Sequence, residues 1–262
     1  MKTILLGILI LLVVSPFVYA KQTPHNTRDQ GVPVLLYHHI LKKEENKKFR
    51  RNVGVITPEL FARHMKVLHT NGYTTITLQE LEQFIHKKRT VPTKSVVITF
   101  DDGYLSNIKY AYPILKKYRY KAVLFPITES IRKQPEVFNP DKLNYISWPE
   151  LPRYSDIFQY EGHADTFHRM VGRKSFLLAK PSEDVLIDLG LSRMLLDTHY
   201  FAYPYGQYTK DTIQLVKKAG YTMALTTKPG KVHSGTPPFE VPRYSILSNT
   251  TIRQFKNMVG IQ

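Results

Sequence analysis

Two adjacent acids, Asp101 and Asp102, and two histidines five positions apart, His163 and His168, are the residues of this chain best suited to chemistry. Two imidazoles and one carboxylate make a three-ligand site with open positions, the arrangement of catalytic rather than structural zinc. A spacing of five puts the histidines on different faces of a helix, so the helical zinc pattern is excluded. Both can reach one ion only from a loop that turns back. Asp102 is the natural third ligand. A metal held there would lower the pKa of a bound water towards about 7 and polarise a carbonyl oxygen. Asp101, beside that water, is a candidate general base, and His38 at another strand end could supply the proton a leaving amine needs. Plainer readings exist for each. FDDG is also a common strand-to-turn sequence, and short histidine pairs arise by accident. His38 could be a histidine satisfied by burial, and burial is the preferred reading for His39.

The elements around these residues must place them together. Val96, Val97 and Ile98 read as a strand buried on both faces. Adjacent residues on it point in opposite directions. Asp101 and Asp102 can therefore share a site only if the strand end curls, which Gly103 permits. Upstream, Val32 to Leu36 form a strand that ends in Tyr37-His38-His39. Helices start at Thr57-Pro58-Glu59 and at Thr77, where Glu80 completes a capping box. Leu105 to Tyr118 reads as helical despite Pro113, and Lys121 to Ile127 as a strand. Ile157 to Tyr160 is a strand leading to Glu161-Gly162-His163. Ser182 caps a helix running to about Asp197, interrupted at Gly190. Tyr200 to Tyr203 is a strand, Asp211 to Ala219 a helix, and Tyr221 to Thr226 and Phe239 to Ile246 are strands. A last helix starts at Asn249 or Thr250. This alternation predicts an α/β fold, a parallel sheet closing into a (β/α) barrel, in one domain over residues 32–262. In such barrels functional residues gather at the C-terminal ends of the strands.

Composition sets the surroundings. The 262 residues carry 37 Lys+Arg against 21 Asp+Glu, a net charge of +16. Met1 to Ala20 reads as a signal peptide, with Lys2, an apolar run over Ile4 to Val14 and small or aliphatic residues before a cut after Ala20. An uncleaved N-terminal anchor is the alternative. Residues 21–31 read as a linker. Removing the signal takes one lysine and leaves a net charge of about +15. A basic exported protein meets an anionic cell envelope rather than nucleic acid. There is no cysteine, so disulfides, thiolate metal sites and cysteine nucleophiles are excluded. Any metal is held by His, Asp or Glu. Zinc is the expected ion, although two histidines and one aspartate admit several divalent metals.

TFDDGY at 99–104, the His163/His168 pair and Phe201-Ala-Tyr-Pro-Tyr-Gly206 resemble the first three motifs of the NodB-like polysaccharide deacetylases, carbohydrate esterase family 4. The resemblance runs from about Val32 to Ile246. It implies a distorted (β/α) barrel, a divalent metal and hydrolysis of N-acetyl groups on sugar polymers. It makes Asp101 the base, Asp102, His163 and His168 the ligands, and the backbone N–H of Tyr205 a donor to the oxyanion. Three departures stand out. The arginine that steadies the catalytic aspartate in the family is replaced by Ala202, and Arg243 could take its place. The family's late Leu-x-His is missing near the C-terminus, while Leu36-Tyr37-His38 has that pattern early, as in the circularly permuted branch that includes biofilm poly-N-acetylglucosamine deacetylases. Ala164 stands where Ser or Thr is more usual. Tyr104, Trp148, Tyr203 and Tyr205 are candidates for a sugar-stacking platform. Two other readings share these residues: a non-catalytic barrel that binds glycan or wall polymer, and an esterase acting on O-acetylated sugars.

Overall fold

The computed structural model describes residues 31–261. The expected signal peptide and residues 21–30 of the expected linker lie outside them. Largely apolar and mostly buried runs form the main strands, β1 (Val32–Tyr37), β2 (Ser95–Asp102), β3 (Ala122–Pro126), β4 (Phe158–Tyr160), β5 (Tyr200–Ala202), β6 (Met223–Leu225) and β7 (Tyr244–Ser245). β1, β2, β3 and β4 pair in that order, all parallel. A single bridge between Gly162 and Phe201 then passes to the parallel pair β5–β6, and another, Leu225 to Val241, passes to the segment that ends in β7. β7 lies parallel to β1, with Leu35 opposite Tyr244 and Leu36 opposite Ser245. The path of neighbours thus returns to its start through two joints that are single bridges. Among the described residues no continuous ladder closes the ring, which is why the barrel is distorted.

Period-two alternation divides β2 between two environments. Val97 faces an interior shared with Val34, Val123, Phe125, Met223, Leu225 and Val241. Val96, Ile98 and Phe100 face outward into a second core. Helix α1 (Pro58–Thr70), capped by the Thr57 side chain, covers that outer core with Phe61, Met65 and Leu68. Burying each such side chain contributes roughly 1.5–3 kcal/mol. Helix α2 (Leu78–Ile85) has both halves of the expected Thr77/Glu80 capping box and packs Leu78, Leu81 and Ile85 against the interior cluster. Helices α3 (Tyr112–Tyr118), α4 (Ser182–Leu196), α5 (Lys210–Lys218) and α6 (Ile252–Val259) complete the outer layer. Among the described residues no helix is long and apolar enough to cross a membrane.

The helix expected over Leu105 to Tyr118 forms, with a π turn, Asn107–Ala111, within it ahead of α3. Pro113 lacks the amide that a regular helix needs at that point. Four other expectations are corrected. Gly190 does not interrupt α4, because open space surrounds it and one glycine costs a helix only about 1 kcal/mol. The cap at the start of α4 is Pro181, with Ser182 already inside the helix. The strand expected from Phe239 to Ile246 survives only as the Val241 bridge and β7, since Pro242 cannot donate to a ladder. The final helix is capped by Thr251 rather than Asn249 or Thr250.

One side chain of α1 makes acid stability predictable. His64 is fully buried, its ring stacked on Phe255 with centroids 4.1 Å apart, and its Nε2 has no hydrogen-bond partner among the described residues. Burial, helped by the charge of Arg63, lowers its pKa to about 4. The unfolded chain, at about 6.5, binds the proton first, so stability is full above pH 6.5 and is lost as the pH falls to about 4. The loss is on the order of 3 kcal/mol. Urea titrations at pH 7 and pH 4 should show His64→Phe losing less stability than the parent by that amount. An equal loss in both proteins would mean that His64 titrates normally in the fold.

Candidate active site

The C-terminal end of β2 curls as Gly103 allows. Asp102 itself adopts a left-handed backbone, φ 73°, followed by Gly103 at φ 79°. A Cβ on Gly103 would sit 2.7 Å from Cβ of Pro126, so no other residue fits there without a shift. This turn separates the two acids. Asp101 keeps the inward direction of Val97, while Asp102 swings towards His163 and His168.

Arg243, fully buried, grips Asp101 with both arms: Nη1 donates to Oδ1 at 2.8 Å and Nη2 to Oδ2 at 2.8 Å. Its Nε donates to the Thr226 carbonyl at 2.8 Å, and Nη1 also reaches Thr99 Oγ1 at 3.3 Å. The fork matches the carboxylate in a way a point charge cannot. Arg243 therefore stands beside Asp101 where Ala202 carries no cation. Burial alone would raise the Asp101 pKa, but the Arg243 charge, then His163 and the Arg243 hydrogen bonds, hold it below the usual value.

The three expected ligands converge. One oxygen of Asp102 lies 3.5 Å from His163 Nε2 and 3.4 Å from His168 Nε2. Ligand atoms of all three residues fall within 4.8 Å of one another. Bonds of about 2.0–2.2 Å to one tetrahedral ion would set ligand atoms roughly 3.3–3.6 Å apart. His163 Nδ1 donates to the Ala202 carbonyl at 2.8 Å, since a carbonyl can only accept. That fixes the ring and turns Nε2 towards the centre, the usual outer support of a metal histidine. The cluster thus fits a divalent metal by donor chemistry, spacing and tautomer. Burial raises the Asp102 carboxyl, but hydrogen bonding to His163 and the His38 and His168 charges leave it well below the ordinary range. Burial, then the neighbouring His163, lowers His168 to about 4, so its ring is neutral at pH 7. For His163 burial is outweighed by the two acids, and its pKa is raised. A metal would displace that proton.

The remaining expected residues divide. His38 is half-buried, and its charge helps to hold both acids down. His39 is buried, with Nδ1 2.6 Å from Ser106 Oγ and a ring beside Tyr104, and burial lowers its pKa to about 4. Tyr205 sits on a left-handed turn, φ 58°, with its ring 4.5 Å from that of His168 and its hydroxyl donating to the His168 carbonyl at 3.1 Å. The next residue, Gly206, has no room for a Cβ, which would lie 2.0 Å from Thr227 Oγ1. Tyr203 does not belong to a sugar platform: it is fully buried, stacked on Tyr208, and donates to the Phe239 carbonyl. Tyr104 stacks on Tyr145 at 5.4 Å, which brings an unforeseen aromatic to the mouth. Asp188, also unforeseen, binds the loop between the two histidines. Its signal in the sequence is an acid on the buried face of α4, among Val185, Leu189 and Ser192.

A distorted parallel barrel with an Asp-His-His cluster and a clamped acid at its mouth is the architecture of a NodB-type domain. Residues 88–147 match the family described as polysaccharide deacetylase. The chain is 31% identical over 205 residues to YxkH of Bacillus subtilis, covering 76% of this chain and 65% of that protein. It is 30% identical over 200 residues to the poly-beta-1,6-N-acetyl-D-glucosamine N-deacetylase of Staphylococcus aureus, covering 73% of this chain and 67% of that one. The chain thus spans about two thirds of the length of these relatives. The solved structure of IcaB from Ammonifex degensii superposes with a TM-score of 0.73 at 25% identity, over 88% of this chain and 96% of the other. The chain belongs to the polysaccharide deacetylase family.

Proposed function

We propose that this chain is a metal-dependent N-deacetylase acting on a polysaccharide that contains N-acetylglucosamine. The observation that carries the reading is the convergence of Asp102, His163 and His168 beside an acid held ionised by Arg243. The name of the staphylococcal relative supports the substrate class. When bound, the metal, with zinc the first candidate, supplies Lewis acidity towards the acetamide oxygen and the attacking water.

The chain's own residues do the rest. Asp102, His163 and His168 hold the ion. Asp101, ionised and oriented, takes the proton of the attacking water as its oxygen adds to the acetyl carbonyl. The backbone N–H of Tyr205 donates to the oxyanion that develops there. His38 gives a proton to the departing amine as the C–N bond breaks. One water and one amide become acetate and a free amine on the sugar. The exposed side of Tyr205 and the Tyr104–Tyr145 pair offer stacking surface to a sugar. The basic surface suits an exported protein held at an anionic envelope, with the polymer as its substrate there.

Acetate release and free amine should be measured on β-1,6- and β-1,4-linked N-acetylglucosamine oligomers, peptidoglycan and an O-acetylated sugar. The purified protein is assayed metal-stripped and after return of zinc. Amine formation that depends on the returned metal is expected. Release of acetate from the O-acetylated sugar alone would make the protein an esterase. No turnover by the metal-loaded protein on any of these substrates would overturn the assignment.

A further inference from the structure

Between His163 and His168 the chain makes a tight turn whose amides all point to one side. Asp188, on the inner face of α4 and only 3% exposed, receives them. Its Oδ1 accepts from the amides of Thr166 at 2.7 Å and Phe167 at 3.0 Å and from the Thr166 hydroxyl at 2.9 Å. Its Oδ2 accepts from the amide of Asp165 at 3.0 Å. Ala164, which opens the turn, is held at φ 67°, and its carbonyl accepts the Thr128 amide at 3.2 Å. Three successive amides on one carboxylate fix the backbone over the whole interval between the histidines. Hydrogen bonds to an ionised acceptor are the strong ones, and a concave run of amides suits such an acceptor.

We propose that Asp188 is a positioning residue for the metal: by setting the turn over 164–167 it fixes the span between His163 and His168. The inference rests on the reading of Asp102, His163 and His168 as the metal ligands. His163 has its own anchor in the Ala202 carbonyl, and the His168 backbone is tied to the Tyr205 hydroxyl. Neither contact sets the distance between the two rings. Without the acid, the turn has three amides turned to one side with nothing charged to hold them. The histidines then sample separations that no single ion can bridge, and the ion is held less tightly.

The test is zinc affinity, measured by competition with a chromophoric chelator, alongside thermal unfolding of the metal-free protein. Asp188→Asn keeps the size but turns an amide group towards the turn. It should weaken zinc binding about 10- to 100-fold, the usual range for groups that support metal ligands. Met65→Ala, in the outer core under α1 and outside the cluster that includes Phe167, should lower the unfolding temperature and leave zinc affinity unchanged. Thr166→Val removes only the hydroxyl bond to Oδ1 and should weaken zinc by a few-fold, which keeps the proposal open to test if Asp188→Asn does not fold. Cobalt substituted into Asp188→Asn should show an altered visible spectrum. Zinc affinity unchanged in whichever of Asp188→Asn and Thr166→Val folds would overturn the role of Asp188. Parent protein that binds no zinc or cobalt would instead overturn the ligand reading itself.

Discussion

Asp101→Asn should lower kcat by about 10³-fold, within the range that loss of a general base produces, while zinc affinity stays within a few-fold of the parent. The proposed ligand atoms belong to Asp102, His163 and His168, and Asp101 is directed instead at Arg243. The variant also leaves a fully buried guanidinium without its counter-ion, at a cost of roughly 3–5 kcal/mol. Lost activity could then reflect lost fold. The double variant Asp101→Asn/Arg243→Met separates the two effects, because removing both partners of a buried pair is far closer to neutral than removing one. Stability should recover in large part in the double variant, and kcat should not. Should kcat return together with stability, Asp101 is only half of a structural ion pair and the base must be sought elsewhere.

The second large effect belongs to Arg243→Lys. Charge is kept, yet kcat should fall by about 10- to 100-fold with little change in KM or in zinc affinity. Lysine cannot form two parallel bonds to a carboxylate, nor can it also serve the Thr226 carbonyl and Thr99 hydroxyl along the same plane. Losing one charge-assisted bond of the pair costs roughly 1.5–3 kcal/mol, which is the stated fold-change if it falls on the orientation of the base. Steady-state kinetics with matched zinc occupancy would check it. Undiminished kcat would show that Asp101 needs only a nearby positive charge and no fixed orientation.

Much of this was legible in the sequence because local rules and tertiary demands agree. The apolar run Val96–Ile98, the Thr77/Glu80 capping box and the curl at Gly103 each depend on a few neighbouring residues. The interruption in the third motif at Ala202 pointed to Arg243, and the guanidinium reaches Asp101. What escaped depends on distant partners. Nothing local to Tyr203 says that its ring stacks on Tyr208 inside the fold. Asp188 looks like one more acid in the middle of a helix until the turn it binds is seen. Pro242 breaks a ladder that hydrophobicity alone would have continued, and the outer helix α4 tolerates Gly190 because nothing packs there.

The joining of β7 to β1 has a consequence for the order in which the protein becomes competent. The proposed ligands lie at positions 102, 163 and 168, so all are made before Arg243, which lies 142 residues beyond Asp101. The pairing that seats Arg243 is the same pairing that brings β7 beside β1, a contact between the far ends of the fold. Such long-range pairings are the slow ones, and synthesis delivers their second partner late. On the proposed reading, a nascent or half-refolded chain can hold its ion while its base still lacks an orienting cation. Metal uptake then reports that the middle of the chain has folded, and turnover that β7 has joined β1.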